Sequence, residues 1–227
     1  GSRPTDWKVV QLPDAVLDEP LLDMLLAPFG CVDMKLRFLP LVGCTDASSS
    51  YGRGGAAAQY SIKFIRCVAR AAARRGAYVT LTDGDALDPR VEERLGRRQL
   101  LNLSLSDFDV IFSVKVPDPQ HINLEEARAL MHYVKWVLRA RARFCSRVVV
   151  LIDSQVVIGA VAKGRSSSVS LSHVLRQLAA LCFAGGLVLH CIFVPTSHNP
   201  ADYPSRGDWA SWPHALRRRS RARRTHD

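Results

Sequence analysis

Apolar positions along this chain fall in short runs whose spacing switches between strand-like and helix-like periods. A lead-in, WKVVQLPDAVLDEPLLDMLLAPF, is interrupted by prolines and carries a leucine-rich run from Leu21 to Leu26 that predicts one helical segment. MKLRFLPLVGCTDAS predicts a first strand ending at Asp46. The glycines of SSSYGRGG suit a tight connection. From Gln59 to Ile65 the residues alternate, with Tyr60, Ile62 and Phe64 on one face, so the pair reads as a hairpin. Residues 66–105 read as an insertion: CVARAAARRGAYV has helix formers closed by Gly76, and DPRVEERLGRR has helix-like charge behind a proline. DFDVIFSVKVP predicts a third strand.

HINLEEARALMHYVKWVLRARAR then changes period. Ala127, Leu130, Met131, Val134, Val137 and Leu138 form one apolar stripe at helical spacing, with Glu126 at its edge and Glu125 pointing away. VVVLI, from Val148 to Ile152, is a buried-type strand that ends in a bare carboxylate, Asp153. A short helix from Gln155, a Gly-Arg-Ser loop, a longer helix through VSLSHVLRQLAALCFA closed by Gly185-Gly186, the strand LVLHCIFVP and a final turn or short helix complete the order β-β-β-α-β-α-β-α. That order predicts an α/β fold, a mixed five-stranded sheet with helices on its faces and an insertion between strands 2 and 3.

Composition adds less. The 227 residues are 48% hydrophobic, enough for one large domain with appendages. No apolar run is long enough to span a membrane, and six scattered cysteines without a CxxC pair read as buried free thiols in an intracellular protein, cytoplasmic or nuclear. Formal charge is +10, and the segment HALRRRSRARRTHD holds six arginines against one aspartate. The basic tail, 208–227, reads either as a solvated tail or as a nonspecific phosphate-binding or nuclear-import segment.

Four acids stand at similar places in this order. Asp46 ends the first strand, Glu126 lies on the long helix, Asp153 ends the fourth strand and Asp202 follows the fifth. In open α/β sheets chemistry collects beyond the carboxyl ends of the strands. Carboxylates gathered there repel one another unless cations lie between them, and an all-oxygen ligand set favours Mg²⁺ or Mn²⁺ over zinc. Two such ions suit in-line attack on a phosphodiester. Each acid also has an ordinary alternative: Asp46 as a turn residue, Asp153-Ser154 as a helix cap, Asp202 as a partner of Arg206.

The segments TDAS, HINLEEARAL, LIDSQVVIGAV and NPADYPSRG together resemble the ribonuclease H domain of reverse transcriptases from retrotransposons and pararetrovirus-like elements. The resemblance covers residues 39–207, while 3–38 is similar to the segment that joins polymerase and ribonuclease H parts in such polyproteins. It implies a ribonuclease H-like fold and metal-dependent cleavage of the RNA strand of an RNA/DNA hybrid, leaving 5′-phosphate and 3′-hydroxyl ends. Asp46, Glu126, Asp153 and Asp202 would ligate two Mg²⁺ ions, with Mn²⁺ able to substitute. His198 would aid product release or proton transfer. Ser48, Ser49, Arg53, Asn123, Ser154, Gln155 and Arg165 would contact the hybrid. The implied partners are that hybrid and a polymerase domain, with no small-molecule cofactor and no membrane. Two other readings use the same fold: a catalytically silent or domesticated module that binds nucleic acid or protein, and a DNA strand-transfer or junction-cleaving enzyme.

Overall fold

The computed structural model describes residues 24, 35–72, 77–82, 86–90 and 97–208; the predicted helical lead-in, most of DPRVEERLGRR, Cys31 and the basic tail lie outside them. The chain divides into two units, Gly1–Leu36 and Arg37–Asp227, and the second holds the main sheet.

That sheet is built around β1 (Arg37–Ala47), whose residues from Val42 to Ala47 are all buried. β2 (Gly52–Gln59) returns antiparallel to β1, and β5 (Asp109–Lys115) adds antiparallel to β2. On the other side of β1, β6 (Ser146–Ile152) and β7 (Leu187–Phe193) run parallel to it, giving the order β5-β2-β1-β6-β7. The two parallel steps require crossovers. These are α2 (Ile122–Val137) before β6, then α3 (Gln155–Lys163) and α4 (Val169–Gly185) between β6 and β7.

Period-two alternation in β6 divides the core. Val148, Val150 and Ile152 face α2, α3 and α4 through Leu130, Tyr133, Val157, Leu171 and Leu175. Val149 and Leu151 face the opposite layer, which includes Ile65, Val68, Leu103 and Phe108. β6 is buried on both faces, which is why its sequence is a continuous apolar run.

The expected hairpin differs from the observed one. The glycines read as a connection lie inside β2. The segment read as alternating strand is α1 (Ile62–Ala69), capped by Ser61, whose Oγ accepts from the Phe64 N–H at 3.4 Å. IKFIRCVA fits both periods, but Ile65, Val68 and Ala69 form a buried helical stripe and Ile62 is exposed. The cap and that stripe decide the outcome. The insertion also contains strands that its composition does not announce. β3 (Ala77–Thr80) and β4 (Arg97–Leu100) form a two-stranded parallel sheet of their own. Among the described cysteines only Cys44 is fully buried, whereas Cys67 and Cys145 are exposed; all five are free thiols.

Gly54 governs a close approach. It pairs across the ladder with Asp46, and a Cβ there would lie 2.3 Å from the Ser205 nitrogen and 2.6 Å from the Ala201 carbonyl oxygen. The short helix α5 (Asp202–Arg206) thus rests directly on β2 backbone.

Candidate metal centre

β1 and β6 are neighbours in register, Thr45 beside Ile152, so Asp46 and Asp153 leave adjacent parallel strands at the same edge. The second turn of α2 brings Glu126 to them. One carboxylate oxygen from each of Asp46, Glu126 and Asp153 lies within 4.8 Å of the others. Asp46 is 2% exposed and Glu126 5%, while Asp153 is half-buried.

Each of the three is held through one oxygen. The Ser205 hydroxyl donates to Asp46 Oδ2, the Ala47 N–H donates to Glu126 Oε1 at 3.1 Å, and the Thr196 hydroxyl donates to Asp153 Oδ2 at 2.9 Å. Glu126 Oε2 and Asp153 Oδ1 are buried with no hydrogen-bond partner among the described residues. Buried carboxylate oxygens without donors are costly. An oxygen-only set with one fixed and one bare oxygen on two of its members fits a hard divalent cation.

The electrostatics agree. Burial, then the charges of Asp153 and Glu126, push the Asp46 carboxyl well above the usual carboxylate range, with the Ser205 hydroxyl opposing. Burial and the Asp153 charge push Glu126 up to about 9. Without a cation, this centre retains protons at neutral pH.

Asp202 stands outside the trio. Its Oδ1 accepts from Arg206 Nε at 2.7 Å. Burial raises its pKa, Arg206 opposes that, and the charge of Asp153 adds to it. The ordinary alternative noted for Asp202 is therefore the contact it makes.

His198 is placed in the core rather than over the centre. It is 1% exposed, and its Nδ1 accepts from the Leu81 N–H at 3.2 Å, fastening the chain after β3 to the loop after β7. This is the buried setting of the side chain to which the resemblance gives product release or proton transfer.

The expected hybrid contacts divide. Ser49, Gln155 and Arg165 are exposed, and Ser48, Asn123 and Ser154 are half-buried. Ser154 caps α3 through the Val157 N–H, and Ser48 accepts from the Ser50 N–H in the β1–β2 turn. Gln155 and Arg165 line an open groove of about 580 Å³ beside Val156, Gly159 and Lys163. It runs along α3, the helix that begins two residues after Asp153.

Arg53 is committed elsewhere, and this corrects the reading of Glu125. Glu125 does not point into solvent: it is 1% exposed and takes Arg53 Nε at 2.6 Å and Arg128 Nη1 at 2.8 Å. Burial pushes its carboxyl up, but the Arg53 hydrogen bond and charge, the Gln120 N–H and Arg128 outweigh it, so the net shift is downward. A lowered carboxyl brings stability that is present above the carboxylate range and lost as pH falls through its folded value. Glu125→Gln is expected to cost about 3 kcal/mol at pH 7 by stranding two guanidiniums. Melting curves from pH 7 down to acid should show the gap to wild type closing as Glu125 itself becomes protonated.

Ser205, Thr196 and Asn199 were not singled out by sequence reasoning. Asn199 donates to the Thr45 carbonyl at 3.0 Å and so ties the loop after β7 to the end of β1. Asn199 and Ser205 lie within NPADYPSRG, but an uncharged side chain that orients a carboxylate leaves no periodic trace. Among the described residues no helix is long and apolar enough to cross a membrane. No protein-family model, curated protein or solved structure matches the chain.

Proposed function

We propose that this chain is a metal-dependent endoribonuclease of the ribonuclease H type, acting on the RNA strand of an RNA/DNA hybrid as part of a retroelement reverse transcriptase. One observation carries the reading: the Asp46, Glu126 and Asp153 carboxylates converge at one sheet edge, with a bare, buried oxygen on Glu126 and on Asp153. The mixed five-stranded sheet is compatible with a ribonuclease H-like fold, and the four sequence segments support the substrate assignment.

In this reading Asp46, Glu126 and Asp153 hold divalent cations, Mg²⁺ with Mn²⁺ as substitute, and Asp202 stands beside them as a further ligand released from Arg206. Bound cations of this kind polarise a phosphoryl oxygen and lower the pKa of a water. Ser205, Thr196 and the Ala47 N–H keep the three carboxylates in fixed orientation, so little reorganisation is needed on loading. Gln155, Lys163 and Arg165 along the α3 groove receive the sugar-phosphate backbone, whose 2′-hydroxyls mark the RNA strand.

The Asp202–Arg206 pair favours a second reading, a nucleic-acid-binding module with an incomplete ligand set. One assay separates them: labelled RNA/DNA hybrid, double-stranded RNA and double-stranded DNA, each with Mg²⁺, Mn²⁺ or chelator. The expected result is metal-dependent loss of the RNA strand of the hybrid alone, abolished by Asp153→Asn. Binding without cleavage under both metals would leave the binding module, and cleavage of duplex DNA would indicate a strand-transfer enzyme.

A further inference from the structure

Acidic residues are absent from the end of α2 and from the first residues of β1 and β6, where arginines are frequent. From Ala127 to Ile152 the chain has no Asp or Glu, but it has Arg128, Lys135, Arg139, Arg141, Arg143 and Arg147; from Arg37 to Thr45 there is again no acid. β1 runs from Arg37 at one end to Asp46 near the other, nine residues on, roughly 30 Å along a strand. The start of β6 lies beside Arg37, with Ser146 as its ladder partner. Arg128 pairs with Glu125 near the carboxylates, but Arg37, Arg139, Arg141 and Arg143 gather where β1 and β6 begin and α2 ends, opposite them.

We infer that this end of the sheet is a second phosphate-binding surface, built by Arg37, Arg139, Arg141 and Arg143, that takes the sugar-phosphate backbone of a nucleic acid. The inference rests on the proposed function only in choosing nucleic acid as the occupant. Among the described residues no carboxylate forms an ion pair with any of these four arginines. Arg37, Arg139 and Arg141 are exposed.

The surface is also pre-ordered. Arg37 Nη2 donates to the Ala142 carbonyl, fastening the 3-10 turn Arg141–Arg143 to the first strand. The Arg143 guanidinium lies 4.0 Å from the Trp136 ring centroid and donates to the Trp136 carbonyl at 3.4 Å. Carbonyls at the end of α2 favour a neighbouring cation, which accounts for one or two of these residues. Four, with no acid among them, call for an anionic partner. Guanidinium rather than ammonium throughout suits phosphate oxygens held by paired N–H groups. Among the described residues, Asp107 and Asp109 flank the start of β5, separated from β1 by β2, and Asp107 takes the Tyr60 hydroxyl.

The test uses the full chain in chelator, so that binding is read without turnover. Fluorescence anisotropy with a labelled RNA/DNA hybrid across a salt series compares wild type, Arg139→Gln/Arg141→Gln and an equal-charge control, Arg66→Gln/Arg70→Gln, on exposed positions of α1 and its end. Loss of two phosphate contacts should weaken binding about tenfold and reduce the slope of log K against log salt by roughly two. The control should change neither appreciably. In Mg²⁺, Arg139→Gln/Arg141→Gln should raise KM for the hybrid about tenfold, while Arg66→Gln/Arg70→Gln should leave cleavage unaltered. Equal losses in both double variants would overturn the inference, as would an unchanged slope. Loss of binding to anionic vesicles or polyglutamate with hybrid binding intact would also overturn it. Cleavage with an unchanged slope would leave the proposed function standing and remove this surface; an arginine-dependent slope without cleavage would do the reverse.

Discussion

Glu126→Gln is expected to abolish cleavage and, in the same molecule, to stabilise the metal-free fold. The amide keeps an oxygen for the Ala47 N–H and removes a carboxyl that the unfolded chain ionises freely and the crowded centre does not. Loss of a ligand from a unit that acts together should lower the cleavage rate roughly 10³-fold or more. The stability effect has the opposite sign. A carboxyl raised to about 9 in the folded state contributes stability that is complete below the ordinary carboxylate range and lost as pH rises toward 9. At pH 7 in chelator, wild type therefore carries a penalty that Glu126→Gln does not. The gain should be on the order of 1–2 kcal/mol, or about 3–6 °C in Tm. Addition of Mn²⁺ should raise the Tm of wild type and leave that of the variant nearly unmoved. A Tm in chelator below wild type would sink the crowded-charge account, and undiminished cleavage would sink Glu126 as a ligand.

Gly54→Val should be the most damaging single substitution in β2. Its side chain would meet the backbone of α5, the Ser205 nitrogen and Ala201 carbonyl oxygen, and backbone cannot swing aside as a flexible side chain does. Overpacking of this kind costs about 3 kcal/mol, some 6–12 °C in Tm. Displacing α5 also removes the Ser205 hydroxyl from Asp46 Oδ2, so Mn²⁺ binding by the folded fraction should weaken as well. Gly159→Ala is the control: nothing lies within 4 Å of a Cβ there, and helix propensity should add up to about 1 kcal/mol. If Gly54→Val melted like wild type, α5 would not rest on β2 as described.

These two substitutions mark where sequence was and was not informative. Strand ends carrying Asp46 and Asp153, and the α2 stripe with Glu126 at its edge, follow from local periodicity; the mixed five-stranded sheet is observed as predicted, but its second strand is Gly52–Gln59 and not the alternating segment from Gln59 to Ile65. Glu125 was misread because periodicity gives direction but not partners. A neighbour 72 residues away, Arg53 on β2, neutralises it in the interior. Gly54 reads locally as turn material, yet its role is to leave space for a helix that comes about 150 residues later. α1 was ambiguous because one octapeptide satisfies two periods. β3 and β4, four residues each, are too short to show any period. For His198 the resemblance implies product release or proton transfer, and its contact with the Leu81 amide of the insertion leaves no local trace in the sequence.

Glu125 and Glu126 are consecutive residues pushed in opposite directions by their surroundings: two guanidiniums hold the Glu125 carboxyl down, while burial and the Asp153 charge push Glu126 up to about 9. A divalent cation entering at neutral pH must therefore displace protons, and its apparent affinity should tighten as the medium becomes more alkaline. In weakly buffered solution, loading the centre should acidify the medium, and its calorimetric heat should vary with the ionisation enthalpy of the buffer. Of the two adjacent glutamates only Glu126 would give up a proton to the medium, so proton release on titration with Mn²⁺ reports on that carboxyl and not on its neighbour.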